Sequence, residues 1–403
     1  MFSRLPHRAL YASFDRYPCA KGASTHIGHF AQQLFSDFGG GILYALGDAE
    51  LPAYQREPGP TGPIELVRFC ESLPNFLDRA LAFGEQLTAL AHAHVSSLEL
   101  VHFREPFSGQ ALLAVPGRRY AMVYEINGLP SIELPALYPS LLPQTLEKLR
   151  AAERRCFTEA DVVVTPSHTL AENLRQLGVP ATKLQVIANG AELPALVPAR
   201  PPEASPSYLL YFGALQPWQG VDVLLRAMQR LLDLPQLQLV ICSSSHQRYA
   251  RPYLKLAERL GVADRLRIFY QLSQEQLQPW LCHATATVAP LTECARNLNQ
   301  GCCPLKILES MAAGVPVVAS DLPVVRELIP NDSYGVLVRP DRPAELARAL
   351  RLLLESPDEL PRLAARAQQR IAEGFTWEHS RKQLQRVYKQ LRAQPRFLTE
   401  AKS

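Results

Sequence analysis

Pro304-Leu305-Lys306-Ile307-Leu308-Glu309-Ser310-Met311-Ala312-Ala313-Gly314-Val315-Pro316-Val317-Val318-Ala319-Ser320 reads as a helix that offers its first turn to a ligand and then gives way to a buried strand. Proline suits a first helical turn, where its missing N–H costs nothing, and Gly314 with Pro316 stops the helix before the apolar run 315–319. The unpaired amides of such a turn, the helix dipole and Lys306 together suit a diphosphate. Glu309 lies one turn further on, where its two oxygens can accept both hydroxyls of a ribose. An ordinary amphipathic helix with a surface lysine and glutamate carries the same pattern, so the helix alone does not choose between the two readings.

Working outward, 403 residues with 47% hydrophobic and 20% charged side chains are enough for two cores, and two domains are expected. No apolar run reaches membrane-spanning length, and Met1-Phe2-Ser3-Arg4-Leu5-Pro6-His7 lacks the charged-then-apolar layout of a secretion signal. A soluble, cytoplasmic protein is the expectation. The net charge of +4 suits an anionic substrate or a peripheral contact with an anionic lipid surface. The basic residues form no dense block, which excludes nucleic acid as the expected partner. None of the eight cysteines makes a C-x-x-C pair, and this argues against a zinc ribbon. Cys302 and Cys303 directly precede the helix, where a stabilised thiolate and simple packing are both open.

Short apolar runs alternate with segments of helical period along the chain, the signature of parallel sheets with crossover helices. Strands are expected at 64–69, 98–103, 121–126, 161–165 and 184–188, with helices at 24–35, 76–94, 141–160 and 167–177. The proline-rich 194–206 continues neither element and reads as a linker. Strands restart at 208–213, 237–242, 265–270, 284–289, 315–319 and 335–338. The expected fold class is therefore α/β, with two doubly wound Rossmann-like domains, 1–193 and 207–375, facing across a cleft, and a C-terminal helical segment 376–403 that crosses back to the first.

Several motifs now resemble the retaining nucleotide-sugar glycosyltransferases of GT-B architecture. Asp161-Val162-Val163-Val164-Thr165-Pro166-Ser167 is similar to that family's strand and helix start, and Ile187-Ala188-Asn189-Gly190-Ala191-Glu192 to its loop into the hinge. Tyr211-Phe212-Gly213-Ala214-Leu215-Gln216-Pro217-Trp218-Gln219-Gly220-Val221-Asp222 resembles the first strand and turn of its donor domain, and the opening helix its donor-binding helix. The resemblance implies an N-terminal acceptor-side domain and a C-terminal nucleotide-sugar domain. Three positions depart from the family: its basic pair is Ala214 and Gln219 here, the first of its two glutamates is Gly301, and its histidine is Asn127. An atypical branch is implied.

On this resemblance Lys306, Pro304, Leu305, Glu309 and Gly213 contact the donor, and Arg296 reaches the same phosphate from the preceding loop. Lys21, Gly22, Ala23 and Ser24 line the donor phosphates from the first domain; His26, one residue inside, caps or packs. His102, Arg104 and Glu105 end the strand 98–103, and Phe107-Ser108-Gly109 reads as a turn. Arg104 is a candidate for the donor phosphate or an anionic acceptor, and His102 for core hydrogen bonding. Glu125 and Asn127 are candidates to orient sugar hydroxyls, a buried structural glutamate being the other reading of Glu125. The expected catalytic set is Lys306, Arg104, Glu125 and Asn127.

The implied reaction moves a hexose from a UDP-, GDP- or ADP-sugar, the donor substrate, to a carbohydrate or lipid-linked hydroxyl with retention. No cofactor is required, and the absence of an Asp-x-Asp pair at a strand end implies no metal ion. A nucleotide-sugar epimerase of the same fold and a nucleotide-sugar-binding protein with reduced or no catalysis are the competing readings.

Overall fold

A computed structural model describes residues 6–48 and 50–394. The chain divides into two compact units, one of residues 1–19, 23–187 and 380–403, the other of 20–22 and 188–379. The first unit runs β1 (Ala9–Arg16), α1 (Gly22–Phe38), β2 (Gly41–Leu46), β3 (Tyr54–Pro58), β4 (Pro63–Phe69), α2 (Phe76–Ala93), β5 (Leu100–Phe103), α3 (Pro106–Leu113), β6 (Ala121–Glu125), α4 (Pro130–Leu137), α5 (Pro143–Glu159), β7 (Val162–Thr165), α6 (His168–Gln176) and β8 (Leu184–Val186). Its sheet has the order β3-β4-β2-β1-β5-β6-β7-β8, parallel except for the antiparallel pair β3·β4. The order reverses at β1, whose neighbours are β2 and β5. Ligands of open α/β sheets sit beyond the carboxyl ends of strands at such a reversal.

The second unit runs β9 (Ser207–Gly213), α7 (Val221–Gln229), β10 (Leu237–Ser243), α8 (Arg251–Arg259), β11 (Leu266–Tyr270), α9 (Gln274–Cys282), β12 (Ala286–Ala289), α10 (Leu305–Ala312), β13 (Val317–Ser320), α11 (Pro323–Arg326), β14 (Val336–Val338), α12 (Pro343–Glu355) and α13 (Leu360–Gly374). Its sheet is parallel throughout in the order β11-β10-β9-β12-β13-β14, with its reversal at β9 and β12. This is the strand order of nucleotide-binding doubly wound sheets. Strands β12 and β13 are buried along their whole length, as expected of a parallel sheet covered on both faces. One core of this unit packs Leu209, Tyr211 and Leu239 against α7 and α12; another packs Ile307, Leu308 and Met311 of α10 against Ile371 of α13.

The expected elements form for local reasons. Asn75 caps α2 by accepting from Leu77 N (2.8 Å), Ser167 caps α6 by accepting from Leu170 N (3.2 Å), and Ser273 with Gln276 closes a capping box at α9. Proline opens α3, α4, α5, α11 and α12, where its fixed φ suits the first helical residue.

Two features differ from the sequence expectation. The segment Phe107-Ser108-Gly109 is not a turn but lies inside α3: Pro106 starts the helix, and Ser108 Oγ donates to Glu105 Oε1. Gly109 lets α3 press on α5, since a Cβ there would come 2.5 Å from Cys156 Sγ. The strand β3, outside the expected strands, is a charged antiparallel edge strand that ends in proline, the composition that keeps an edge from further pairing.

The boundary between units falls ahead of the proline-rich segment. Asn189 Nδ2 donates to the Cys303 carbonyl (2.8 Å), and Ala191 pairs with Thr376, which ties these residues to the second unit. The last helix, α14 (Trp377–Arg392), returns the chain to the first unit from Ser380 onward. There Tyr388 is fully buried, with its hydroxyl 2.7 Å from His102 Nδ1. Among the described residues no helix is long and apolar enough to cross a membrane.

Tyr388→Ala should therefore lower the stability of the first unit by about 3–5 kcal/mol, the usual cost of deleting a buried aromatic. Urea unfolding followed by a probe in that unit measures it, and Tyr388→Phe separates the hydrogen bond from the packing.

Candidate functional site

At the reversal of the second sheet, β9 ends in Gly213 and α10 begins at Leu305. Gly213 has φ +126, a conformation side chains rarely adopt, and a Cβ on it would lie 3.4 Å from both Cε and Nζ of Lys306. The ammonium of Lys306 thus rests against the bare backbone at the strand end. It donates to Gln219 Oε1 (2.6 Å) and lies 4.1 Å from the centroid of the Tyr211 ring. Burial, aided by the nearby Arg296 charge, pushes the Lys306 ammonium down to about 7. Burial likewise pushes the Glu309 carboxyl up to about 7, against the pull of Lys306. Two groups of opposite type, one turn apart, are thereby brought to the point of changing charge near neutrality.

Pro304 stands at the N-cap, one position before the helix, and not in its first turn as expected. The earliest helical bonds run from Ile307 N (3.1 Å) and Leu308 N (3.5 Å) to the Pro304 carbonyl, so the amides of Leu305 and Lys306 precede the ladder. Arg296 opens a five-residue π-helical turn, Arg296–Gln300, with its guanidinium 5.5 Å from the Trp218 ring and Nη1 on Asn297 Oδ1 (3.2 Å). Asn297 Nδ2 in turn donates to the carbonyls of Trp218 (2.9 Å) and Thr292 (2.8 Å), which locks this turn to the loop carrying Gln219. Gly301 follows with φ 79 and ψ 173, a region open essentially to glycine alone. A glutamate at that position would be strained on this backbone. Burial raises the Cys303 thiol, so packing accounts for it and a thiolate does not; Cys302 lies in the same core beside α10, close enough to Lys306 to favour its charge.

In the first unit, the carboxylate of Glu125 at the end of β6 is the centre of a buried cluster. Oε2 accepts from Tyr11 OH (2.8 Å) and lies 3.0 Å from His102 Nε2; Oε1 accepts from Arg104 Nε (2.9 Å) and Asn127 Nδ2, and lies 2.8 Å from His26 Nε2. Despite burial, these donors hold its carboxyl well below the usual carboxylate range, the charges of His26 and Arg104 contributing most. Burial keeps His102 low, hence a neutral imidazole, with Nδ1 2.7 Å from Tyr388 OH on the side away from Glu125. Arg104 also reaches Asp15 Oδ2 (3.0 Å) near the end of β1, so it spans the reversal of the first sheet.

The structure thus brings Arg104, Glu125, Asn127, His26 and His102 together in one unit, and Lys306, Gly213, Arg296 and Glu309 in the other. Lys21 is exposed before α1, and Gly22 and Ala23 open the helix. The hydroxyl of Ser24 is turned inward and accepts from Cys19 N (3.0 Å). Tyr11, Asp15, Tyr211 and Tyr388 were not read from the sequence. Each belongs to a strand, loop or helix far along the chain from its partner, and no local spacing announces it.

The family model described as Glycosyltransferase Family 4 matches residues 20–193, and that described as Glycosyl transferases group 1 matches residues 206–356. This chain belongs to the GT-B glycosyltransferases. It is 27% identical over 368 residues to a D-inositol 3-phosphate glycosyltransferase of Xylanimonas cellulosilytica, covering 86% of this chain and 85% of that protein. A protein of the same name from Nocardioides is 29% identical over 77% of this chain and 71% of its own length. Among solved structures, sucrose-phosphate synthase of Thermosynechococcus elongatus superposes with a TM-score of 0.78 at 20% identity, over 96% of this chain and 99% of that one. The Anabaena protein HepE, solved with UDP-glucose, gives 0.71 at 18% identity, over 95% and 100%.

For this glycosyltransferase the Lys306 environment has a sign that can be measured. At pH 8 the free site holds Lys306 largely neutral; a diphosphate bound against it would restore its charge, and binding there should take up about one proton. Calorimetry of UDP binding in buffers of different ionisation enthalpy should register that uptake, together with an affinity that falls as pH rises above 7. Lys306→Met should abolish the uptake.

Proposed function

We propose that this glycosyltransferase is a retaining hexosyltransferase that uses a UDP-, GDP- or ADP-sugar and delivers the hexose to a carbohydrate or lipid-linked hydroxyl. One observation carries the reading: the recessed ammonium of Lys306 lies beside Gly213 at the end of β9, held by Gln219, where the family's own basic pair is missing. The pull of Glu309 does not outweigh the burial of this lysine against a glutamine and an aromatic face, so its charge is only partly compensated. An anion of the donor completes that environment.

In this mechanism the bond between the anomeric carbon and the β-phosphate oxygen breaks, and the electron pair leaves on the phosphate. The acceptor hydroxyl oxygen bonds to the same carbon on the same face and passes its proton to a phosphate oxygen. Lys306 and the amides of Leu305 and Lys306 stabilise the charge that gathers on the diphosphate, and Arg296 adds to the same field. Glu309 accepts the ribose hydroxyls. In the first unit, Asn127 commits its Nδ2 to Glu125 and keeps Oδ1 as an acceptor for a sugar hydroxyl. Arg104, steered by Glu125 and Asp15, serves the anionic or acceptor side. Glu125 itself, with its oxygens taken by these donors, acts by positioning them and not as a base.

Lys306→Ala should lower kcat/KM by about 10²–10³, the scale of one lost stabiliser of developing charge. The melting temperature should hold or rise, since a costly buried ammonium is removed. Glu309→Gln should weaken nucleotide binding by about tenfold through loss of a charged acceptor. Product analysis over a panel of nucleotide sugars and acceptors tests the whole reading. Tight nucleotide binding with no transfer to any acceptor would favour a binding protein, and sugar interconversion without acceptor an epimerase.

A further inference from the structure

The first unit also holds a cavity of about 460 Å³ between α1 and the strands β2, β3 and β4, lined by Ser24 alone among the candidate site residues above. That volume lies within the range of small-molecule sites. Its floor is apolar, with Phe35, Leu43 and Leu66 all at least 97% buried. Its upper wall is polar and comes from one face of α1 (Thr25, His29, Gln32), from Tyr17, and from Glu57 on β3.

The centre of that helical face is Gly28. Glycine inside a helix is unfavourable, and crowding does not demand it here: a Cβ at 28 would meet only Tyr17, at 3.5 Å, an ordinary contact. What a larger side chain at 28 would remove is the cavity.

The lining also states what charge it tolerates. Burial, with the Arg381 guanidinium beside it, pushes the His29 imidazole down to about 4, so it is uncharged at neutral pH. Arg381 is drawn to His29 Nδ1 (3.2 Å) and Gln32 Oε1 (3.3 Å), and the imidazole and the amide, not the guanidinium, line the cavity. Tyr17 stays a phenol, raised by burial and by the neighbouring Glu57 charge. Glu57 takes Gln55 Nε2 on Oε1 (2.8 Å), leaving its other oxygen for a hydroxyl donor. A carboxylate, a phenol, a hydroxyl and a neutral imidazole above an aromatic and aliphatic floor suit the hydroxyls and apolar face of an uncharged sugar ring bearing an apolar substituent. They repel a phosphate.

We propose that this cavity binds the uncharged, apolar-backed end of the glycosyl acceptor, so that this chain takes a neutral glycoside and not a phosphorylated cyclitol. The inference rests on the transferase reading. Thr25 adjoins His26, the α1 residue that reaches Glu125, which links the cavity wall to the cluster at the strand ends.

The test uses octyl β-D-glucopyranoside below its micelle concentration, saturation-transfer NMR on the full chain, and calorimetry with UDP. Transfer to both ring and alkyl protons is expected, undisturbed by inositol 1-phosphate. In Gly28→Leu and in Glu57→Gln it should fall about tenfold while UDP affinity holds. Glu57→Gln, on an edge strand, keeps the question open to test should leucine at 28 not fold. Undiminished transfer in a folded Gly28→Leu chain, or displacement by the inositol phosphate, would overturn the proposal. Failure of the wild type to bind any nucleotide would instead undo the transferase reading alone.

Discussion

A lysine ammonium pressed against bare glycine backbone governs the second unit. Lys306 has an amide oxygen and an aromatic face for partners, and burial depresses its charge toward neutrality. Such a group is costly, because neither glutamine nor tyrosine neutralises it and the pull of Glu309 does not outweigh burial. The surrounding backbone is shaped to keep it there. Gly213 leaves room at the strand end, Asn297 ties the π-helical turn to the Gln219 loop, and Gly301 takes a conformation that a glutamate would resist. The positive charge of this site is thereby carried by α10 and the turn at Arg296, next to Ala214, Gln219 and Gly301.

The first unit solves the opposite problem. Glu125 is buried as an anion, yet donors from β1, α1, the end of β5 and the loop after β6 surround it. A carboxylate so engaged is inert as a base and rigid as a scaffold, and its worth lies in the aim it gives Arg104 and Asn127. The chain returning through α14 joins the same network by way of Tyr388 and His102.

Most parallel strands were legible because buried strands of valine, leucine and isoleucine stand out between helical periods; β12 and β13 are examples, whereas β1 and β2 were not among the expected strands. The edge strand β3 was not, since an exposed strand with charged residues and a proline has no apolar pattern to find. Helix α3 was hidden by Ser108 and Gly109, residues that signal turns but here serve a short helix pressed on α5. Lys306 and Glu309 could be picked out from one segment because their chemistry is local to one helix. Arg104, His102 and Asn127 could be picked out one by one from their strand ends, but not their meeting with Tyr11 and His26 around Glu125, because these residues come together only when the sheet assembles. The conformation of Gly301 is equally silent in sequence: a substitution shows that a side chain is gone, not which conformation the backbone holds there.

The most direct test of the central claim is a crystal structure of this chain with UDP. The account predicts a β-phosphate oxygen in hydrogen-bond contact with Lys306 Nζ and the Leu305 and Lys306 amides, with the ribose hydroxyls on Glu309. A nucleotide bound elsewhere, or a diphosphate held while Lys306 stays on Gln219 without touching it, would contradict it.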